Sequence, residues 1–351
     1  MKIIDENNQV QIESLINECK GNLFEFLVTQ YLSKIFDGEE HFLLNLPMDY
    51  RSRLQFYEAT VRKHNLGLLS QLPVMAQLVA KKLSSEPIFE NKVNNIASFS
   101  FFVIGKLTSG NDSDCWSETD IVVTKKTGTD NSELEKFYLS LKLTKDHSFT
   151  NTKSAGVKSF FEKYFFKLDP FIAKKQQVFN HLVDESFVMM GHKLYEMIDG
   201  EFKGLFDQNW TNHYSELPGE LSSEMRAVVH QNYFRLITQL KILMVELYQL
   251  NPRLFLDSLG SLCGFSQKEI IQVICIHQNN EMKDVVIKHY DDLFSENEFN
   301  FDFSDIELGG SSFEIRFKKF NLQIRIKPMN KFTTAAYKVN CSIKMKGESV
   351  E

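Results

Sequence analysis

The sequence contains no C-x-x-C pair. Its five cysteines (Cys19, Cys115, Cys263, Cys275, Cys341) are odd in number and widely scattered, which argues against a disulfide framework and against a structural zinc site. Reduced, mostly buried thiols are expected. No run of about eighteen uncharged apolar residues occurs, so no segment is expected to span a bilayer. The opening MKIIDENNQVQIES lacks the basic start and apolar stretch of a secretory signal, and a cytoplasmic protein is expected. No G-x-x-x-x-G-K-[ST] phosphate loop or G-x-S-x-G elbow is present, and the nine histidines show no H-x-x-x-H spacing. P-loop nucleotide hydrolases, serine hydrolases of the elbow type and helix-borne zinc hydrolases therefore have no foothold. Tryptophan is scarce, with 2 residues against 31 phenylalanines, so the core should be rich in Phe.

What remains is ordinary globular composition: 351 residues, 43% hydrophobic and 25% charged, enough for one large domain or two to three smaller ones. A formal net charge of −6 speaks at first against nucleic acid as a partner. The distribution speaks otherwise. Lys142 to Lys175 holds eight lysines against three acids, and Ile315 to Lys346 holds nine Lys or Arg and no acid. Between them, Glu281 to Glu307 carries nine acids and two lysines. Two local basic surfaces are hidden by the mean.

Periodicity orders the chain. Leu23, Phe26, Leu27, Tyr31, Leu32 and Ile35 recur at helical spacing over Gly21 to Phe36. A second helical region covers about Arg53 to Leu83, with a break expected near Pro73. Ala97 to Ile104, Thr119 to Thr124 and Lys136 to Leu143 read as strands, the last two joined by a loop over Lys125 to Ser132. Asn151 to Gly156 reads as a loop before a helix at Val157 to Phe166. The stretch from about Gln176 to His289 reads as largely helical, most clearly at Ser222 to Leu250, which Pro252 closes. The acidic segment Glu296 to Asp305 looks like a boundary. Ser312 to Phe320, Leu322 to Lys327 and Lys338 to Lys346 alternate apolar and basic residues, the period of a small β-sheet or ribbon. Three segments are expected: a mixed β core flanked by helices over 1–175, a helical recognition or dimerisation block over 176–295, and a basic β-rich element over 296–351.

The chemistry concentrates in Glu118-Thr119-Asp120-Ile121-Val122-Val123 and Tyr138-Leu139-Ser140-Leu141-Lys142-Leu143. An acid enters one apolar strand, and the next strand presents Ser140-x-Lys142 on the face opposite Leu139, Leu141 and Leu143. A lysine in an apolar strand needs a polar destination, because an unpaired buried ammonium is costly. A carboxylate that holds a hard cation such as Mg²⁺, beside a lysine that orients water and offsets phosphate charge, suits phosphodiester hydrolysis.

Here the chain resembles the PD-(D/E)XK superfamily, the restriction-endonuclease-like nucleases, in which an Asp on one strand is followed on the next by acid-x-Lys. Asp120 matches the first position and Lys142 the lysine; Ser140 stands where the family has its middle acid, and a hydroxyl is a poorer metal ligand. Glu25, between Phe24 and Phe26 in GNLFEFLVTQYL, resembles the glutamate of the family's first helix. The resemblance covers about Gly21 to Phe166. It implies a restriction-endonuclease-like α/β (α+β) fold and a Mg²⁺-dependent deoxyribonuclease, with Asp120 and Glu25 as metal ligands and Lys142 and Ser140 completing the centre.

Duplex DNA is the implied partner. Lys145, Lys153, Ser154 and Lys158 follow the catalytic strand, where small residues at a helix start could admit a phosphate. Arg316, Lys318, Arg325 and Lys327 fall opposite Ile315, Phe317, Ile324 and Ile326; Arg316, Arg325, Gln323 and Asn330 are candidates for reading base edges. A type II restriction-type enzyme cutting both strands calls for a homodimer. The alternatives are a nonspecific or branch-cutting defence or phage nuclease, a catalytically inactive DNA-binding protein of the same fold, and a protein-interaction module using Glu281 to Glu307.

Overall fold

A computed structural model describes residues 9–90, 97–104, 119–127, 133–145, 150–294 and 301–346. In chain order the elements begin with four helices, α1 (Gln9–Ile35), α2 (Glu39–Leu44), α3 (Met48–His64) and α4 (Leu66–Leu83), followed by strands β1 (Ala97–Val103), β2 (Ile121–Thr127), β3 (Glu133–Thr144) and β4 (Thr150–Gly156). Five helices come next: α5 (Phe160–Tyr164), α6 (Phe171–Glu196), α7 (Gln208–His213), α8 (Ser223–Leu250) and α9 (Pro252–Leu262). Strands β5 (Ile270–Gln278) and β6 (Glu281–Lys288), helix α10 (Tyr290–Phe294), and strands β7 (Asp302–Phe303), β8 (Ser312–Arg316), β9 (Phe320–Pro328) and β10 (Tyr337–Met345) complete the chain. The class is mixed α+β. No helix among the described residues is long and apolar enough to cross a membrane.

Two compact units account for the chain: Met1–His147 with Ser266–Asp292, and Ser148–Phe265 with Leu293–Glu351. The first is interrupted in sequence, so its divisions differ from the three consecutive segments read above. Its sheet runs β1-β2-β3-β5-β6, with β3 and β5 parallel and every other pair antiparallel. One face takes α1, α3 and α4. Leu23, Phe24, Val28 and Leu32 of α1 lie in one core with Phe99, Phe101, Ile121, Val123, Leu139, Leu141, Ile271, Val273 and Cys275. A fully buried aliphatic or aromatic side chain of this kind contributes roughly 1.5–3 kcal/mol.

Three expectations are corrected. The α3–α4 break falls at Asn65, whose φ of −153° leaves the helical region and whose side chain accepts from Leu68 N at 2.9 Å. Pro73 lies inside α4; a side-chain cap decides the helix end and packing tolerates the proline. Second, Ile270 to Lys288 is a hairpin, not helix. Asn279 and Asn280 carry φ of +50° and +64°, as a two-residue turn of the primed type requires. The run IIQVICIHQ is buried almost throughout because its strand is central and pairs in parallel with β3. Third, Thr150–Gly156 is a strand paired with β10, so tertiary pairing overrides the loop reading of its small polar residues. β2 also runs on to Thr127, and the rest of the expected loop, 128–132, lies outside the described residues, as do 296–300 of the expected acidic boundary.

The second unit holds an antiparallel sheet, β4-β10-β9-β8-β7. Phe313, Ile315, Leu322, Ile324, Ile326, Val339, Cys341 and Ile343 are buried, and α8 packs against β8 and β9. A buried hydrogen-bond chain joins α6, α8 and β10: Ser186 Oγ donates to Asn232 Oδ1 at 2.6 Å, and Asn232 Nδ2 donates to Tyr337 Oη at 3.0 Å. The four cysteines among the described residues are all buried. Burial pushes the thiols of Cys275 and Cys341 up to about 12, which suits packing rather than nucleophilic chemistry.

Candidate active site

Register positions the acid. Ile121 stands opposite Leu139 across β2 and β3. One residue earlier, Asp120 N donates to Leu139 O at 2.9 Å and Asp120 O accepts from Ile104 N at 2.9 Å, which fixes the backbone on both sides. Its carboxylate Oδ2 accepts from Leu141 N at 2.6 Å, a short charge-assisted bond. That bond anchors the Asp120 carboxylate at the middle residue of Ser140-Leu141-Lys142. The strand's period of two sends Leu139 and Leu141 into the core and leaves Ser140 and Lys142 on the other face. Ser140 is buried there and Lys142 is exposed.

Glu25 comes from α1, half-buried beside the buried Phe24. Tyr50 comes from α3. The phenol is 1% exposed, and its hydroxyl has no hydrogen-bond partner among the described residues. Burial raises its pKa above the ordinary tyrosine value, and the negative charges of Glu25, Tyr57 and Asp120 raise it further. The charges of both carboxylates thus act on one buried phenol.

A metal ion can be tested against this donor set. Among the described residues no group of three or more His, Cys, Asp or Glu side chains lies together as a ready cation cage. Two carboxylates fit a Mg²⁺ ion, which keeps several waters and uses one or two carboxylates with substrate phosphates. They fit zinc poorly, since it takes nitrogen and sulfur ligands in a closed tetrahedron.

The other expected residues scatter. Glu118 and His147 lie outside the described residues. Lys145 is exposed at the end of β3. Lys153 and Ser154 belong to β4, where Ser154 stands opposite Asn340, so these amides join a sheet rather than a helix start; this corrects the phosphate seat expected there. Lys158 is ion-paired to Asp184 at 2.5 Å. Arg316 and Arg325 are exposed on β8 and β9 over buried Ile315, Ile324 and Ile326, as alternation predicts. Arg316 lies 3.6 Å from Asp302, and Arg325 Nη2 donates to Gln323 Oε1 at 3.2 Å. Lys318 sits in the connection between those strands rather than on one. Lys327 stands opposite Lys338; burial, then the charges of Lys338 and Arg325, pull its pKa down.

Sequence reasoning missed Tyr50, which no local pattern in MDYRSRL marks, and it passed over Lys20 and His277. His277 lies one residue before the end of β5 and is 1% exposed. A polar residue in IIQVICIHQ is a signal once that run is read as a central strand.

No family model matches the chain, and no curated protein matches it. Among solved structures, restriction endonuclease MspI in complex with its cognate DNA is similar at 13% identity and a TM-score of 0.35, with 89% of this chain and 97% of that chain covered. A likeness at that level leaves the activity to be argued from the residues themselves.

Proposed function

We propose that this chain is a Mg²⁺-dependent endonuclease that hydrolyses phosphodiester bonds of duplex DNA in the manner of a type II restriction enzyme. The observation that supports it most is the 2.6 Å bond from Leu141 N to Asp120 Oδ2, which fixes a carboxylate against the Ser140-x-Lys142 stretch. The charges of Glu25 and Asp120 both act on the buried Tyr50 phenol, and in this reading these two acids are the hard-oxygen donors that serve with the exposed Lys142.

In this reading Asp120 and Glu25 hold the cation, which when bound polarises the phosphate and lowers the pKa of an attacking water. Lys142 donates to the phosphate oxygens and offsets the charge that builds as the water oxygen bonds to phosphorus. As that bond forms, one P–O ester bond breaks, the attacking water gives up a proton to solvent, and the departing oxygen takes one from solvent. Ser140, nearly enclosed, braces the strand beside the acid rather than binding metal. The first unit cuts and contributes Lys145 as a contact, and the second holds the duplex through the outward basic residues Arg316, Lys318, Arg325 and Lys327, with Lys153, Ser154 and Lys158 as further contacts. A break in both strands needs two such centres, so the active form is a homodimer working in the cytoplasm.

Ser140 favours a second reading, a DNA-binding protein of this fold without metal chemistry. Incubation with supercoiled plasmid and long linear DNA, in Mg²⁺ and in EDTA, separates them. Discrete fragments that require Mg²⁺ and disappear with Lys142→Ala establish site-specific cleavage. A smear or nicks alone point to the less specific nucleases. Intact DNA with equal binding by wild type and variant leaves the binding role.

A further inference from the structure

The first unit carries a second polar cluster, away from the carboxylates and opposite to them in charge. Lys20 lies on α1 and is 8% exposed, an unusual place for an ammonium group. It forms neither a hydrogen bond nor an ion pair among the described residues; burial, then the charge of Lys145, pull its pKa down. Lys145 follows β3 directly, and β3 runs parallel to β5 with Thr144 opposite Ile276. The next residue on β5 is His277, so register alone brings Lys145 and His277 to one end of the sheet. His277 is 1% exposed, and neither of its ring nitrogens has a hydrogen-bond partner among the described residues. Both lysines act on its titration.

Two ammonium groups and an imidazole with two unfilled nitrogens repel or starve one another as they stand. A buried donor without an acceptor costs about 1–3 kcal/mol by general experience, and like charges in a partly dry place add to that. An oxyanion resolves all three: it accepts from both ammonium groups and from the one N–H of a neutral imidazole. Lys145 is exposed, whereas Lys20 and His277 are buried. The cluster also sits at a useful place. Lys20 precedes Glu25 by five residues of helix, about 7.5 Å of rise. Lys145 follows Leu141, the residue that anchors Asp120, by four residues of strand, about 13 Å. Along one DNA strand this is a separation of a few nucleotides.

We infer that Lys20, Lys145 and His277 form a phosphate-binding site that grips the DNA backbone a few nucleotides from the bond cut at Asp120 and Lys142. The inference rests on the nuclease reading for its substrate, and its test is made without cleavage so that the two can fail separately.

The experiment measures binding of the full-length protein to a labelled duplex in EDTA by fluorescence anisotropy, across a salt series. Wild type is compared with Lys20→Gln, Lys145→Gln and, as a surface control, Lys81→Gln on the exposed side of α4. Lys20→Gln and Lys145→Gln should each flatten the slope of log K against log salt by about 0.9, one phosphate contact, with Lys81→Gln near wild type. The melting temperature without DNA supplies the second reading. A site held open for an anion is strained when empty, so Lys20→Gln should raise it by a few degrees, whereas a merely structural Lys20 would lower it. Unchanged slopes in both variants overturn the inference. So does stabilisation of wild type by inorganic phosphate, lost in Lys20→Gln, while the duplex slope stays the same, since the ligand is then a free anion. Slopes that fall as expected in a protein that cuts nothing keep the phosphate site and remove the endonuclease.

Discussion

The two sheets differ in what a polar residue on them means. In the first, β5 is buried from Ile270 through His277, and Val122, Ser140 and Ile274 are buried on the face away from α1. A polar side chain there must be held, so Asp120, Ser140 and His277 each ask for a reason. In the second, inward Phe313, Ile324, Ile326 and Val339 alternate with outward polar residues. A lysine or arginine on that outer face is what any one-sided antiparallel sheet shows. Residue type alone therefore carries more information in the first sheet than the stronger charge pattern carries in the second.

The largest effect that could break this contrast is on cleavage. Asp120→Asn keeps the side chain's shape but removes the charge that Leu141 N and the cation share, so the rate should fall by roughly 10²–10³-fold. Duplex affinity in EDTA should hold or rise, since a negative charge has gone. Arg325→Ala should do the reverse. Affinity falls with a salt slope flatter by about 0.9, and the rate at saturating DNA stays near wild type. Single-turnover kinetics beside the binding series read both, and an Arg325 variant that loses rate at saturation would place chemistry in the wrong sheet.

The same contrast explains what the sequence displayed. Helix α1 and strands β1 to β3 are legible because their apolar positions keep the period of one partner face. Asp120 stands out as an acid at the entry to an apolar strand, and Lys142 as the charge on the outer face of an alternating one. The α3–α4 break was misplaced because Asn65 caps a helix through one side-chain bond, a signal weaker to the eye than Pro73. β5 is hidden because a doubly buried strand has no alternation to read; only Asn279-Asn280 marks the turn into β6. β4 owes its form to β10, nearly two hundred residues on, and no local window contains that partner. Tyr50 is found only when α3 is laid beside α1 and the start of β2.

A second effect, of intermediate size, tests whether His277 is as enclosed as its strand implies. Burial, followed by the charges of Lys20 and Lys145, lowers its pKa from 6.5 to about 4. The folded protein then binds fewer protons than the unfolded chain between those values, so stability falls as pH drops from about 6.5 towards 4. The loss should reach about 2 kcal/mol at pH 5. Urea unfolding of wild type and His277→Gln at pH 7 and pH 5 measures it. The variant should lose less stability over that interval, and equal losses would mean that the imidazole titrates as if exposed.

The smallest effect belongs to the second unit. Lys158 follows β4 and pairs with Asp184 at 2.5 Å, with 45% and 55% of the two side chains exposed. Solvent screens such a pair, and holding two long side chains in register costs entropy, so Lys158→Ala should change stability by less than about 0.5 kcal/mol. The carboxylate beside it also lowers the lysine's value to a phosphate. The variant's salt slope should thus shift by clearly less than the 0.9 expected for Arg325→Ala. A full contact's loss at Lys158 would show that DNA breaks the Asp184 pair, and would make this surface lysine as informative as the enclosed groups of the first sheet.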